Sequence, residues 1–399
     1  MKIKNGIFLL GLLLAFASCE EKAEAPATET IDEEIAEVRE NYAPDGRVAL
    51  FDIKANRAGD AYVLKGESNL PDAVASLKKN LEEENINYTD SIQMLPDEKG
   101  LESKTWGVVP ISVANLRDEP KHSAQLVTQA TLGMPLKVLK KTDSWFYVQT
   151  PDGYLAWVDY GGIVSMSKAE FDSWKASEKA IFTETFGASY QKADKASAVA
   201  GDLVAGNILE LTGTSGNFYE VKYPNGKKAF IERSNAMPYS EWLSGLDQER
   251  ESLVSTSKEL MGLPYLWGGT SSKGVDCSGF TKTVYFLNGF VLPRDASQQV
   301  HAGKLVDSTK NFENLIPGDL LFFGRKATDS TSERVVHVGM WIGENKFIHS
   351  MGEVHISNFD TTATDFDDYN YGRYLRTKRV LNEEKEKMIN LKDSSLFTK

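Results

Sequence analysis

Cys277 stands immediately before residues 278–287, where Phe280, Val284 and Leu287 recur at helical spacing. A sulfur there meets the unpaired N–H groups and positive dipole end of a helix, which favour a thiolate and lower a thiol pKa. The same N–H groups, that of Ser278 included, are placed to receive the oxyanion of a tetrahedral intermediate. Gly279 permits close approach of a substrate backbone, and Asp276 falls where a helix cap belongs. Two histidines complete the set. Alternation over residues 334–342 puts His337, Gly339 and Trp341 on one strand face, and His349 shares a face with Phe347 in residues 346–350. His337 would take the proton from Cys277, while His349 would hold its tautomer through the far ring nitrogen. Taken singly, Cys277 equally suits a small buried hydrophobe and each histidine a structural role. The combination points to nucleophilic catalysis. His122, His301 and His355 lack such company and read as surface residues.

These side chains need elements to position them. A three-residue turn at Gly343, Glu344 and Asn345 pairs Ile342 with Lys346. That register sets His349 opposite Gly339 and diagonal to His337, about 7–8 Å between neighbouring backbone positions. With a helix over residues 249–260, a loop over 262–269 and a strand over 320–323, residues 247–385 form an α+β domain. Upstream lies a repeat at an offset of 73: Val138 matches Leu211, Trp145 matches Phe218, Gly153 matches Gly226 and Trp157 matches Phe230. Short β runs between turn signals make two small β barrels, 106–165 and 166–246. Residues 31–105 are a small mixed α/β module with helical patterning at 31–40 and 73–87, and 386–399 form a charged, frayed tail.

A formal net charge of −12 argues against nucleic acid, whose phosphates require clustered Lys and Arg. No phosphate-loop run GxxxxGK[ST] occurs, and five His with two Cys are too few and scattered for structural zinc. No metal or organic cofactor is expected. Lys2 and Lys4 precede an apolar run, residues 7–16, of signal-peptide length, and Ala17, Ser18 and Cys19 follow. That ending resembles a bacterial lipobox. Residues 1–19 then form a lipoprotein signal peptide, Cys19 carries the lipid, and 20–30 are a solvated linker. The alternative is an ordinary secretory signal. Either way Cys277 is left as an unpaired thiol outside the cytoplasm, in the bacterial cell envelope, where such thiols are a liability unless used.

Pro264–Tyr265–Leu–Trp–Gly–Gly269, Asp276–Cys277–Ser278–Gly279, Leu292–Pro–Arg–Asp295, Ile316–Pro–Gly–Asp–Leu320, His337–Val–Gly339 and Phe347–Ile–His349 occur in that order. The run resembles the NlpC/P60 family of papain-like cysteine peptidases, over about residues 247–385. The resemblance implies Cys277 as nucleophile, His337 as base, His349 as third polar residue, and Tyr265 near the oxyanion. Residues 113–120, Trp145 and residues 153–158 resemble a bacterial SH3 domain, and the second copy is a degenerate relative. The whole order is similar to the YkfC-like γ-D-glutamyl-L-diamino acid endopeptidases, which cleave murein peptides carrying a free N-terminal L-Ala. In that subgroup the first SH3 domain walls off the cleft. An acidic residue, a tyrosine and an aspartate hold the free amine, and the matching positions are Glu119, Tyr154 and Asp295; Asp276 and Ser278 join them as substrate contacts. At the repeat offset, Glu119 becomes Lys192 and Tyr154 becomes Lys227, so only the first copy keeps an amine-binding pair. Turn and cap roles for Glu119 and Asp295 remain open. The expected partners are a peptidoglycan-derived peptide and, through the lipid, a membrane. A peptidase acting on intact glycan-linked murein and a non-catalytic murein-binding lipoprotein are the alternatives.

Overall fold

The computed structural model describes residues 27–59, 61–383 and 387–398. Cys19, the signal segment and linker residues up to 26 lie outside them. The elements, in chain order, are α1 (Ala27–Tyr42), β1 (Phe51–Ala58), β2 (Ala61–Ser68), α2 (Pro71–Glu83) and β3 (Tyr88–Met94). The first repeat follows with β4 (Trp106–Val108), β5 (Val113–Arg117), β6 (Leu126–Thr131), β7 (Pro135–Thr142), β8 (Trp145–Gln149), β9 (Leu155–Asp159) and β10 (Val164–Met166). After α3 (Lys168–Ala176), the second holds β11 (Lys179–Phe182), β12 (Phe186–Tyr190), β13 (Val199–Val204), β14 (Ile208–Ser215), β15 (Phe218–Lys222), β16 (Lys228–Glu232) and β17 (Ala236–Pro238), closed by α4 (Tyr239–Gly245). The last domain begins with α5 (Arg250–Glu259), β18 (Thr270–Ser271), β19 (Gly274–Val275), α6 (Cys277–Leu287), β20 (Phe290–Val291) and α7 (Ala296–Gln299). It continues with β21 (Lys304–Asp307), β22 (Leu320–Arg325), β23 (Arg334–Gly343), β24 (Lys346–Met351), β25 (Glu353–Asn358), α8 (Asp368–Gly372), β26 (Tyr374–Arg379) and β27 (Ile389–Asn390).

In the N-terminal module, α1 and α2 cover one face of the sheet β1-β2-β3, with Ile31, Ile35, Leu77 and Leu81 buried against Phe51 and Leu64. Residues 27–30 belong to α1, so the helix claims the end of the expected linker.

The repeat holds residue by residue. Adding 73 to β5, β6, β7, β8 and β9 gives β12 to β16 with identical ends. Both copies also carry a ladder irregularity at equivalent places, Val138/Lys140 and Leu211/Gly213. Each forms a seven-stranded sheet, β10-β4-β7-β8-β9-β5-β6 and β13-β12-β16-β15-β14-β11-β17, the same order read from opposite ends. These sheets are open, which corrects the expected barrels. At the β6 edge a neighbouring element takes the place of closure. Beside β6, Thr270 of β18 donates N–H to Gln129 Oε1 and its hydroxyl to Gln129 O, both at 3.0 Å.

The last domain is a six-stranded antiparallel sheet, β21-β26-β22-β23-β24-β25. Helix α6 lies across β23 and β24 and buries Phe280 and Val284 against Leu320, Phe322, Val338, Met340 and Ile348. The residues beyond 386 are no frayed tail: β27 pairs with β20, and Leu391 and Phe397 are buried beside Tyr239, Trp242 and Phe286. Their apolar side chains, sparse between charges, fill the seam between α4 and α6, and that burial outweighs the entropy of ordering them.

Candidate active site

Cys277 is the first residue of α6, and Asp276 is its cap, accepting N–H from Gly279 at 2.7 Å. The residue is 8% exposed. Burial, and then the Asp276 carboxylate, push the thiol up to about 11, against hydrogen bonds from the backbone of Val338 and Ser278. The depressed thiol pKa that a helix start alone predicts is therefore reversed, because desolvation of the sulfur outweighs the dipole. His337 (5% exposed) is held well below its ordinary value by burial and by the neighbouring His349. These shifts favour the thiol at Cys277 and the neutral imidazole at His337.

His337 Nε2 and His349 Nδ1 are 2.8 Å apart. The hairpin that brings them together differs in detail from the expectation. Gly343 pairs with Lys346 across a two-residue turn whose Glu344 and Asn345 both have positive φ, +53° and +56°. Ile342 bulges out between Trp341 and Gly343, and the pairs Trp341–Phe347 and Met340–Ile348 restore the register that faces His349 toward Gly339. A Cβ on Gly339 would come within 2.8 Å of the Phe347 ring and 3.1 Å of His349 Cβ, so glycine there is required.

Around the sulfur runs a cleft of about 660 Å³ lined by Tyr265, Trp267, Asp276, Ser278, Arg294 and Asp295, and across it by Gln125, Val127 and Tyr154 of the first repeat. Tyr265 is half-buried, its phenol pushed up to about 12 by burial and by Cys277. At one end Tyr154 donates its hydroxyl to Asp295 Oδ2 at 3.3 Å. Among the described residues, none lining the cleft comes from the second repeat, whose Lys227 instead caps Ala200 O and lies over the Tyr223 ring.

The model described as the NlpC/P60 family matches residues 262–370, and one described as the bacterial dipeptidyl-peptidase SH3 domain matches 116–161. A protein of Bacillus cereus named gamma-D-glutamyl-L-lysine dipeptidyl-peptidase is 32% identical over 235 residues, 57% of this chain and 67% of that protein. The chain belongs to the NlpC/P60 family. A Bacillus subtilis protein of the same name is 36% identical over 36% of this chain, which spans 44% of that relative's length. The crystal structure of an NlpC/P60 family protein from Bacillus cereus superposes with a TM-score of 0.59 at 26% identity, covering 69% of this chain and 99% of that one.

In this NlpC/P60 cysteine peptidase, three expected substrate contacts have other occupations. Glu119 sits on the exposed loop between β5 and β6, 59% accessible and paired with Lys121 at 2.7 Å. Lys121, two residues on, claims the carboxylate. Asp276 is taken up within the protein: Gly268 N, Gly279 N and both terminal nitrogens of the buried Arg294 donate to it. It positions α6 and leaves no lone pair directed at a ligand. Ser278 Oγ accepts from Arg294 at 3.0 Å, and its backbone N–H lies against the Cys277 sulfur.

A residue the sequence did not single out enters the cleft instead. Arg47, from the N-terminal module, donates to Asp295 Oδ2 at 2.6 Å and Ser297 Oγ at 3.0 Å, and is braced by Asp45 at 2.8 Å. It lies 248 positions from Asp295, and no local pattern flags it. His355, expected to stand alone, packs its ring 4.4 Å from that of His349.

Proposed function

We infer that the chain hydrolyses the bond between the γ-carboxyl of D-glutamate and a diamino acid in murein-derived peptides carrying a free N-terminal L-Ala. The relatives named as γ-D-glutamyl-L-lysine dipeptidyl-peptidases support the bond type. The observation that carries the free terminus is Tyr154 of the first repeat hydrogen bonded to Asp295 in the cleft that holds Cys277. A first-repeat residue closing that part of the cleft favours a short N-terminal residue over a glycan strand, and a carboxylate with a phenol suits an ammonium.

The chemistry runs in two halves. As Sγ attacks the amide carbon, His337 Nδ1 takes the thiol proton, and the oxyanion lies against the Ser278 N–H. The C–N bond breaks as the imidazolium passes its proton to the leaving amine of the diamino acid. Water then adds to the thioester, giving a proton to His337; collapse expels the thiolate, which takes that proton back, and the released γ-carboxyl group loses its own proton to solvent. Lipidation at Cys19 would hold this activity at a membrane of the cell envelope, where murein fragments arise.

One observation favours a second reading, an endopeptidase on peptides whose N-terminus is blocked. Arg47 already pairs with Asp295, and Lys121 with Glu119, so an incoming ammonium must compete for either carboxylate. Turnover of free and N-acetylated L-Ala-γ-D-Glu-diaminopimelate separates the two. The free peptide is expected to be cleaved and the acetylated one spared, with Glu119→Gln unchanged; equal rates would select the blocked substrate.

A further inference from the structure

Beyond His349 the polar chain continues. His349 Nε2 lies 3.0 Å from the hydroxyl of Ser357 on β25, and that hydroxyl donates to Asp367 Oδ2 at 2.7 Å. Asp367 precedes α8, where Asn370 donates to it from its backbone at 2.9 Å and its side-chain amide at 2.5 Å. The geometry points to Ser357 and Asp367 as positioning residues that set the tautomer of the base His337, two groups away. This rests on the reading of Cys277 and His337 as nucleophile and base.

The argument is one of proton counting. A carboxylate only accepts, and these donations hold Asp367 below the usual carboxylate range despite its burial. The single proton of Ser357 is therefore committed to Asp367, and its oxygen must accept from His349 Nε2–H. Burial keeps His349 neutral, its pKa lowered to about 3, so it has one N–H, and its Nδ1 is bare. That bare nitrogen accepts from His337 Nε2–H at 2.8 Å. Neutral His337 is then left with an unprotonated Nδ1, the nitrogen needed to take the thiol proton. Reversing any one donor reverses the rest. If His349 donated from Nδ1, His337 would carry its proton on Nδ1 and could not act as base. With an apolar side chain at 357, nothing on this side would choose between the two. During turnover the imidazolium gains a second N–H while still donating to His349, so no proton passes to Asp367. Phe323, Phe347 and His355 pack on these rings and Arg373 bears on both, and none of them accepts from His349 Nε2.

The test uses the full chain. In histidine-¹⁵N-labelled protein, His349 is expected to show a protonated Nε2 and a bare Nδ1, and Ser357→Ala to mix the tautomers. Ser357→Ala leaves the Asp367 cap of α8 in place; kcat on L-Ala-γ-D-Glu-diaminopimelate should fall about tenfold or more, with KM held to within about twofold, as expected for a mispositioned base. Ser357→Thr, which keeps the hydroxyl, should restore kcat. A protonated His349 Nδ1 in the wild type, or wild-type kcat in Ser357→Ala, would overturn the assignment. Cys277→Ala separates the two failures: if it still turns over, the nucleophile reading has failed, and if it is inert while Ser357→Ala is fully active, only the positioning role has.

Discussion

At Cys277 two local influences oppose each other, and their balance sets how the nucleophile works. The helix start and adjacent N–H groups favour the thiolate; enclosure beside Phe280 and Val338, with the Asp276 carboxylate near, favours the thiol and prevails. Below its pKa a thiol gains thiolate about tenfold per pH unit, so the rate of Cys277 alkylation by iodoacetamide should climb steadily from pH 7 to 9. A preformed thiolate–imidazolium pair would instead react at a constant rate over that range. Cys277→Ala should remove hydrolysis and leave the circular dichroism spectrum unchanged. Arg47 belongs to the same scale. Removing its charge frees Asp295 for an ammonium, so Arg47→Gln is expected to lower KM for the free-amine peptide and leave the acetylated peptide uncleaved.

Among the elements, α6 is held most tightly at its first turn, where Asp276 collects donors from Gly268, Gly279 and Arg294. A Cβ at Gly279 would lie 1.9 Å from Gly269 O, backbone that cannot move without breaking the cap. Gly279→Ala should therefore cost about 1–3 kcal/mol in chemical denaturation, an overpacking penalty. This element was largely legible in the sequence, because a cap, a glycine and an apolar stripe are local signals. The hairpin was legible by compensation: the turn is one residue shorter than expected, the bulge at Ile342 absorbs the difference, and His349 still faces Gly339. Ser357 and Asp367 escaped notice because no alternation marks a lone serine as an acceptor. Arg47 and the docking of Leu391 and Phe397 escaped because their contacts cross the whole chain. The open sheets were misjudged for a related reason, since what covers an edge is supplied by a different module.

At the scale of the molecule, polar contacts tie the modules together, and one of them reaches the helix that begins at Cys277. Lys282 of α6 pairs with Asp152 in the turn after β8 at 2.8 Å, both nearly inaccessible, and also donates to Leu292 O at 2.7 Å. Burial lowers the lysine's pKa, and Asp152 opposes that shift. Asp152→Ala leaves a cation enclosed without its partner, a loss of about 3–5 kcal/mol expected as a lowered thermal midpoint.

The same pair constrains how such a chain can change over generations. Asp152 lies in the Pro151–Asp152–Gly153 turn, two residues before the tyrosine that meets Asp295, and Lys282 lies five residues after the sulfur. Exchanging the SH3-like repeat for one without an acid at this turn would strip Lys282 of its counter-ion. The counter-ion of the helix that carries Cys277 and one wall of the cleft beside it thus come from a single module, so a replacement module would have to keep an acid at that turn.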